Sequence, residues 1–538
     1  MKKLMALLLA VLTLLSVVSA ADFTDAKELD ERYAPAVEEM VKLGVINGFE
    51  DGTFRPNGTL TRAQAAKIIC TMLVGADKVD AITAAPAGFV DVPAGNWAEK
   101  YIDYCAEKQI VAGVGNNKFN PNGELTGAAW GKMLLAAYGH PAEELTGTKW
   151  FSNTQKAIRE KGLNFQAYVS DSPTSREKAC QLAYNFHFEY NVMQKYGYEE
   201  MNVSFADGKN MKVLGRAEAT KDGVKTIFSA DGVEFEIECA GQVVLEYQAD
   251  TSRLYQLIVD GEPVAMRGTT GTGTGTVLLA AAVKPGKHTF RIIQESEYST
   301  AGSTCTLKGI TVKGKVGSVK AAANKQYLIE FIGDSITCGN GVLNYNEKMT
   351  TEGRSAWRAY SYMAVELLGN ADYIMTAKGS IACTKKLAST RNKDEAFSIH
   401  DIFGAWNVYA DATRPFPYPR TPDIVVINIG TNDKAPEEGQ PDEPFITEYT
   451  RLVEQVRKQH GDKTKIVMLY NIMKKQHGPA LMEIAEKLGG AAKGYYTLEM
   501  QTLTGGGWSR EGATGHPSYE DNKVNAPILA QFLKGLLQ

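Results

Sequence analysis

Hydrophobic and polar positions change rhythm twice along this chain of 538 residues. From about residue 23 to 190, apolar residues recur at helical spacing in blocks broken by Gly/Asn turns. Each block reads as a helix, a turn, a short extended segment and a second helix starting at a Thr cap. Over 203–316 the rhythm shortens to alternation. Segments 224–228, 235–238, 243–247 and 254–259 are candidate strands separated by Gly and Asp turns, the pattern of an antiparallel sandwich. The run 269–276 (TTGTGTGT) reads as a flexible loop between strands. From Tyr327 onward, apolar runs at 327–332, 374–377, 423–429 and 465–470 alternate with helical patterns over 355–368, 444–460 and 480–488. That alternation predicts a parallel, doubly wound α/β sheet.

The helical part repeats itself. Tyr33-Ala34, Gly48, Phe54, Pro56-Asn57-Gly58 and Leu60-Thr61 return as Trp97-Ala98, Gly113, Phe119, Pro121-Asn122-Gly123 and Leu125-Thr126, an offset of 64 to 65 residues. A weaker third copy over 151–185 ends in 174–179, an echo of 61–66. Ahead of the repeats, Lys2 and Lys3, an apolar run over 4–18 and Val18-Ser19-Ala20 form the pattern of a secretory signal cut after Ala20. The run is too short to cross about 30 Å of hydrocarbon comfortably, so export without membrane insertion is expected. The expected divisions are a signal peptide (1–20), helical repeats (21–197), a β-sandwich (198–320) and an α/β domain (321–538).

Composition narrows the function classes. With 44% hydrophobic and 22% charged residues the chain can build several cores, which excludes a disordered or collagen-like protein. The 58 basic and 62 acidic residues are mixed, without the basic stripe that follows phosphates, so nucleic acid is not an expected partner. Seven scattered cysteines form no CxxC pair, and seven histidines form no HExxH spacing. No metal or cofactor is expected.

In a doubly wound sheet, chemistry sits beyond the carboxyl ends of the strands. The first strand there runs into Gly333-Asp334-Ser335, where a serine at a helix N-terminus would find N–H groups suited to a developing oxyanion. The next ends at Lys378-Gly379-Ser380, whose glycine permits close approach and offers its N–H. Another ends at Gly430-Thr431-Asn432-Asp433 and offers a side-chain amide. Gly515-His516-Pro517-Ser518 supplies a histidine before the last helix, and a serine nucleophile needs such a base. Lys378 and Asp334 read as structural support. Trp508, shortly before His516, and Trp406, between Gly379 and Asn432, are rings on which a sugar could stack or which could pack their own loops.

Two resemblances give these pieces meaning. The stretch GVINGFEDGTFRPNGTLTRAQAA, with its copies over 23–190, resembles S-layer homology repeats, which hold exported proteins on secondary polymers of bacterial cell walls. That family implies a polymer-binding arginine, here Arg62, while the second copy has Gly127 and the third Ser175. Loss of those arginines leaves a helical spacer as the alternative. The order Ser335, Gly379, Asn432, His516 resembles the SGNH (GDSL-type) hydrolases over 326–538. This implies a flavodoxin-like α/β/α domain with Ser335 as nucleophile and His516 as base. The N–H groups of Ser335 and Gly379 and the Asn432 amide would be the oxyanion donors.

Gly215-Arg216, Val259-Asp260-Gly261, Pro285-Gly286-Lys287-His288 and the lead into 329–339 are similar to carbohydrate esterase family 2, in which a jelly roll precedes the catalytic domain. That resemblance implies removal of O-acetyl groups from polysaccharides such as xylan or glucomannan. SGNH enzymes commonly place an Asp where this chain has Ala513. Family 2 includes Ser–His dyads, so a dyad is expected, with Glu511 and Asp521 as further candidates for a third member. The expected protein is a secreted, wall-associated carbohydrate acetylesterase. A general short-chain acyl or lipid hydrolase and a non-catalytic polysaccharide-binding surface protein are the competing expectations.

Overall fold

The computed structural model describes residues 22–538 apart from 31–32, 161–162, 164–171, 197–198, 298–302, 344–350, 352, 384–396, 409, 435–441, 474–476 and 502–514. The expected signal peptide lies outside the described residues. The chain folds as two compact units, one ending at Lys195 and one running from Tyr196 to Gln538.

The first unit holds helices α1 (Ala34–Lys42), α2 (Arg62–Val74), α3 (Glu99–Glu107), α4 (Gly127–Ala137), α5 (Trp150–Glu160) and α6 (Arg176–Tyr196). Thr61 caps α2 in a reciprocal box with Gln64, and the Thr126 hydroxyl accepts from the Ala129 N–H to start α4. The three copies join through a closed ring of backbone hydrogen bonds. Leu60 N–H donates to Thr174 O (3.2 Å), Thr174 N–H to Leu125 O (2.9 Å) and Leu125 N–H to Leu60 O (2.9 Å). One turn on, the N–H groups of Arg62, Gly127 and Arg176 donate to the carbonyls of Gly123, Ser172 and Gly58.

This register corrects the third copy. Ser175 stands level with the caps Thr61 and Thr126, and the residue equivalent to Arg62 is Arg176. The side chains agree. Arg62 donates to Phe119 O and Ala112 O, and Arg176 donates to Phe54 O and Asn47 O, the matching carbonyls of the next copy around the ring.

The second unit begins with a nine-stranded antiparallel sheet. Its strands are β1 (Glu200–Ser204), β2 (Lys212–Leu214), β3 (Glu218–Thr220), β4 (Gly223–Thr226), β5 (Gly232–Ala249), β6 (Leu254–Val259), β7 (Glu262–Thr269), β8 (Gly273–Gln294) and β9 (Cys305–Ala321). They run in the order β3-β4-β9-β5-β8-β6-β7, with β1 on β9 and β2 on β5. The separate segments expected at 235–238 and 243–247 are one strand, bent where Gly241 faces Gly314 and the register shifts. Both glycines have positive φ, and a Cβ on either would meet the other strand's backbone. The bend wraps the sheet around Val233, Phe235, Leu245, Tyr255, Phe290 and Ile310.

The TTGTGTGT run is mostly strand. Only 270–272 connect β7 to β8, and Gly275 leaves room for the Tyr247 hydroxyl, which accepts the Gly271 N–H at 2.7 Å.

Next comes a five-stranded, all-parallel sheet. In chain order its part of the molecule contains β10 (Tyr327–Gly333), α7 (Tyr360–Leu368), β11 (Ala371–Ala377), α8 (Ile399–Gly404), a small hairpin of β12 (Ala405–Asn407) and β13 (Asp411–Pro415), β14 (Ile424–Asn428), α9 (Glu443–His460), β15 (Lys465–Tyr470), α10 (Gly478–Lys487), β16 (Tyr495–Glu499) and α11 (Tyr519–Leu537). The order is β11-β10-β14-β15-β16. Alternate residues of the central strands face two cores: Ile332, Val425, Ile427 and Met468 meet α8, α9 and α10, while Phe331, Val426 and Val467 meet α7 and α11.

Two expectations fail locally. β16 went unforeseen because its residues are only part-buried at the sheet edge. No helix follows β10. Residues 334–343 form turns, with Asp334 accepting the Ile336 N–H at 3.0 Å, so no helix dipole acts at Ser335.

Within this unit, buried ions join the two sheets. Glu234 on β5 bonds Arg291 on β8 (2.6 Å) and Lys212 (3.1 Å). Arg291 also reaches Glu366 on α7 (2.6 Å), and Lys212 reaches Asp372 on β11. Burial alone would raise the Glu234 carboxyl, but Arg291 and Lys212 outweigh it and hold it below the usual range.

Candidate active site

Three strand ends and the start of the last helix meet around Ser335. The residue sits in the turn after β10, is 7% exposed, and its Oγ lies 2.7 Å from His516 Nε2. His516 is held by the start of α11, where Ser518 and Asp521 form a capping box. Asn522 on the same helix accepts the Tyr360 N–H at 2.7 Å, and Tyr519 N–H donates to Val342 O, tying α11 to α7 and to the turn after β10. The Ser335 N–H has no hydrogen-bond partner among the described residues, while the Ser335 carbonyl accepts from Asn340 N–H at 3.0 Å. A nucleophile in contact with a base and beside an unengaged N–H has the geometry that acyl transfer requires.

The other expected site residues fare differently. Asn432 follows β14, and its Nδ2 donates to Ile381 O (2.9 Å) and stands 3.4 Å from the buried Asp334 carboxylate. Gly379 follows β11, and its N–H donates to the carboxylate of Glu297. Ser380 beside it adopts φ 64°, an unusual conformation for a residue with a side chain. Asp521, an expected candidate for the third member of a triad, accepts from the Ser518 N–H and hydroxyl through one carboxylate oxygen. Trp508, Glu511 and Ala513 lie outside the described residues.

Trp406 is corrected to a core residue. It is 5% exposed, and its indole N–H donates to Arg216 O at 3.0 Å, leaving no open face for a sugar.

Glu297 and Asn340 escaped the sequence reading. Glu297 follows β8 in the antiparallel sheet, 82 residues before Gly379, in a stretch without a motif. Only the folded chain brings it to the site. Among the described residues no group of metal-ligating side chains could hold an ion, and no helix is long and apolar enough to cross a membrane.

In the first unit, Arg62 lines a cavity of about 320 Å³ together with Ala112, Lys132, Thr146 and Trp150. Its guanidinium lies over the Phe119 ring at 4.4 Å. Arg176, 5% exposed, is packed against the rings of Phe49 and Phe54 and offers little to a ligand.

Comparison with known proteins agrees with this arrangement. Residues 22–66 and 88–129 match the S-layer homology domain, and 331–497 match the GDSL-like Lipase/Acylhydrolase family. The chain therefore carries S-layer homology domains followed by a GDSL-like acylhydrolase domain. A "Cell surface protein" of Thermoanaerobacter kivui is 36% identical over 117 residues, 22% of this chain and 15% of that one. "Cellulase/esterase CelE" of Acetivibrio thermocellus is 27% identical over 243 residues, 45% of this chain and 28% of that one. The chain thus spans less than a third of the length of these relatives.

Among solved structures, a family two carbohydrate esterase from Clostridium thermocellum in complex with cellohexaose is 23% identical. It covers 61% of this chain and 99% of its own, with a TM-score of 0.53. An acetyl xylan esterase from Butyrivibrio proteoclasticus is 17% identical, covers 63% and 99%, and has a TM-score of 0.54. At these identities the likeness is one of fold.

Proposed function

We propose that the protein is a wall-associated carbohydrate esterase that removes O-acetyl groups from polysaccharide by a Ser–His acyl-enzyme mechanism. The observation that carries this reading is the 2.7 Å contact of Ser335 Oγ with His516 Nε2 beside the unpaired Ser335 N–H. His516 takes the hydroxyl proton as Oγ attacks the acetyl carbonyl. The tetrahedral oxyanion is held by the Ser335 N–H and by Asn432, whose 3.4 Å contact with Asp334 is easily exchanged for a substrate oxygen. On collapse the ester C–O bond breaks, His516 protonates the departing sugar oxygen, and water repeats the cycle to release acetate. Each oxyanion donor is typically worth about 10²–10³ in turnover.

The likeness in fold to family two esterases supports a sugar ester, with xylan and glucomannan acetates as the substrate class. It also supports a jelly roll over 198–320 and a flavodoxin-like catalytic domain over 321–538. The S-layer homology domains support retention on a wall polymer through the Arg62 cavity after removal of the signal at 1–20. The deciding experiment is acetate release from acetylated xylan and from an aryl acetate, wild type beside Ser335→Ala. Activity on both that disappears in the variant is expected, and equal activity in the two proteins would refute the mechanism.

A further inference from the structure

Glu297 follows the last residue of β8 by three positions and belongs to the ester site by position. It is 8% exposed. One carboxylate oxygen receives the Asn340 side-chain amide at 2.7 Å; the other receives the Gly379 N–H and lies 3.6 Å from the Cys338 sulfur. All three are donors directed at it, as suits an acceptor with two oxygens. Asn340 and Cys338 lie in the turn that carries Ser335, and Asn340 N–H closes that turn on the Ser335 carbonyl. Gly379 lies in the turn after β11, two residues before Ile381, whose carbonyl accepts from Asn432. A single side chain therefore ties the nucleophile's turn to the turn on which Asn432 leans.

The backbone leading into it is fixed as well. Two residues earlier, Glu295 accepts from Arg267, and its carbonyl takes the Ala356 N–H at 3.1 Å, fastening the end of β8 to the segment before α7.

We infer that Glu297 is a positioning residue of the esterase, through which the antiparallel sheet sets the spacing between Ser335 and its oxyanion donors. This rests on the esterase reading above. It assigns Gly379 a different part from the expected one: an anchored strut whose N–H is engaged by protein, leaving a two-donor oxyanion hole. Glu297 touches no reacting atom, so its loss should act on the rate of the chemical step and little on substrate binding.

The test compares wild type, Glu297→Ala, Glu297→Gln and Ser335→Ala as full-length proteins on an aryl acetate, with hydrogen exchange of the peptide spanning 371–383 measured on the same samples. Glu297→Ala is expected to lower kcat about 10²-fold, the scale of one misplaced oxyanion donor, with KM changed less than about two-fold. Glu297→Gln keeps one acceptor for the Gly379 N–H and should recover about ten-fold of that loss. The Gly379 amide should exchange faster in the alanine variant and return toward wild type in the glutamine variant.

An alanine variant as fast as wild type or faster overturns the inference, as does a fall in kcat that glutamine does not relieve. If wild type shows no hydrolysis dependent on Ser335, the esterase reading fails instead. The exchange of Gly379 still decides whether Glu297 holds that turn, and unchanged protection in the alanine variant overturns it.

Discussion

The two units solve the same problem, holding an irregular loop in place, by opposite means. In the first, the solution recurs: in all three copies the N–H at the helix start goes to a neighbouring copy, and in two of them an arginine at that position grips the neighbour's loop carbonyls. In the second it is written once. The loops around Ser335 are fixed by Asp334, Asn522, Glu295 and Glu297, none equivalent to another. Repetition tolerates loss, since Gly127 gives up its arginine and the ring still closes. A single-copy site has no such reserve, so the same size of change should do far more there.

The strongest way to break this contrast is at the nucleophile. Ser335→Ala should lower ester turnover by about 10⁴-fold or more while leaving wall binding intact, as acetate release and a wall pull-down would measure. Asn432→Ala should lower kcat by about 10²–10³ with little change in KM; a pure KM effect would remove it from the oxyanion hole.

Glu234→Gln should destabilise the second unit by about 3 kcal/mol at neutral pH, read by urea unfolding, because it strips a buried partner from Arg291 and Lys212. The sign with pH follows from the lowered carboxyl. Its stabilisation is present above the ordinary carboxylate range and is lost as pH falls through the folded value, so wild type and variant should converge in acid.

In the first unit the effects should be smaller and should separate. Arg62→Ala should weaken wall binding by about ten-fold, whereas Arg176→Ala, at the equivalent but packed position, should lower the melting temperature and spare binding at the Arg62 cavity. The smallest effect is expected of Trp406→Phe, about 1 kcal/mol of stability from one lost hydrogen bond and no change in KM for xylan acetate. A raised KM would restore it as a sugar platform.

What the sequence disclosed follows the same division. Strand ends carrying Ser335 and Asn432, and the histidine before the last helix, are local signals placed by a simple topological rule, so they could be read directly. The third arginine was misread by one position because alignment followed a run of similar letters. The ring's backbone bonds and the arginine's carbonyl partners set the true register, and they appear only once the ring closes. The commitment of Gly379 to Glu297 was invisible, since it depends on where the end of a bent strand falls in space. The turns that replaced the expected helix after β10 reflect Asp334, which satisfies the Ile336 N–H locally and so competes with helix formation.

The ring of copies also has a mechanical meaning. On the wall-retention reading proposed above, a pull arriving from the second unit would enter the first along α6, the helix at that unit's end. The first residue of α6, Arg176, is bonded to carbonyls of the first copy, and its N–H donates to Gly58. Tension on the last copy is thus passed at once to the first and shared around the closed circuit. The last copy of the unit and the first are bonded to each other directly.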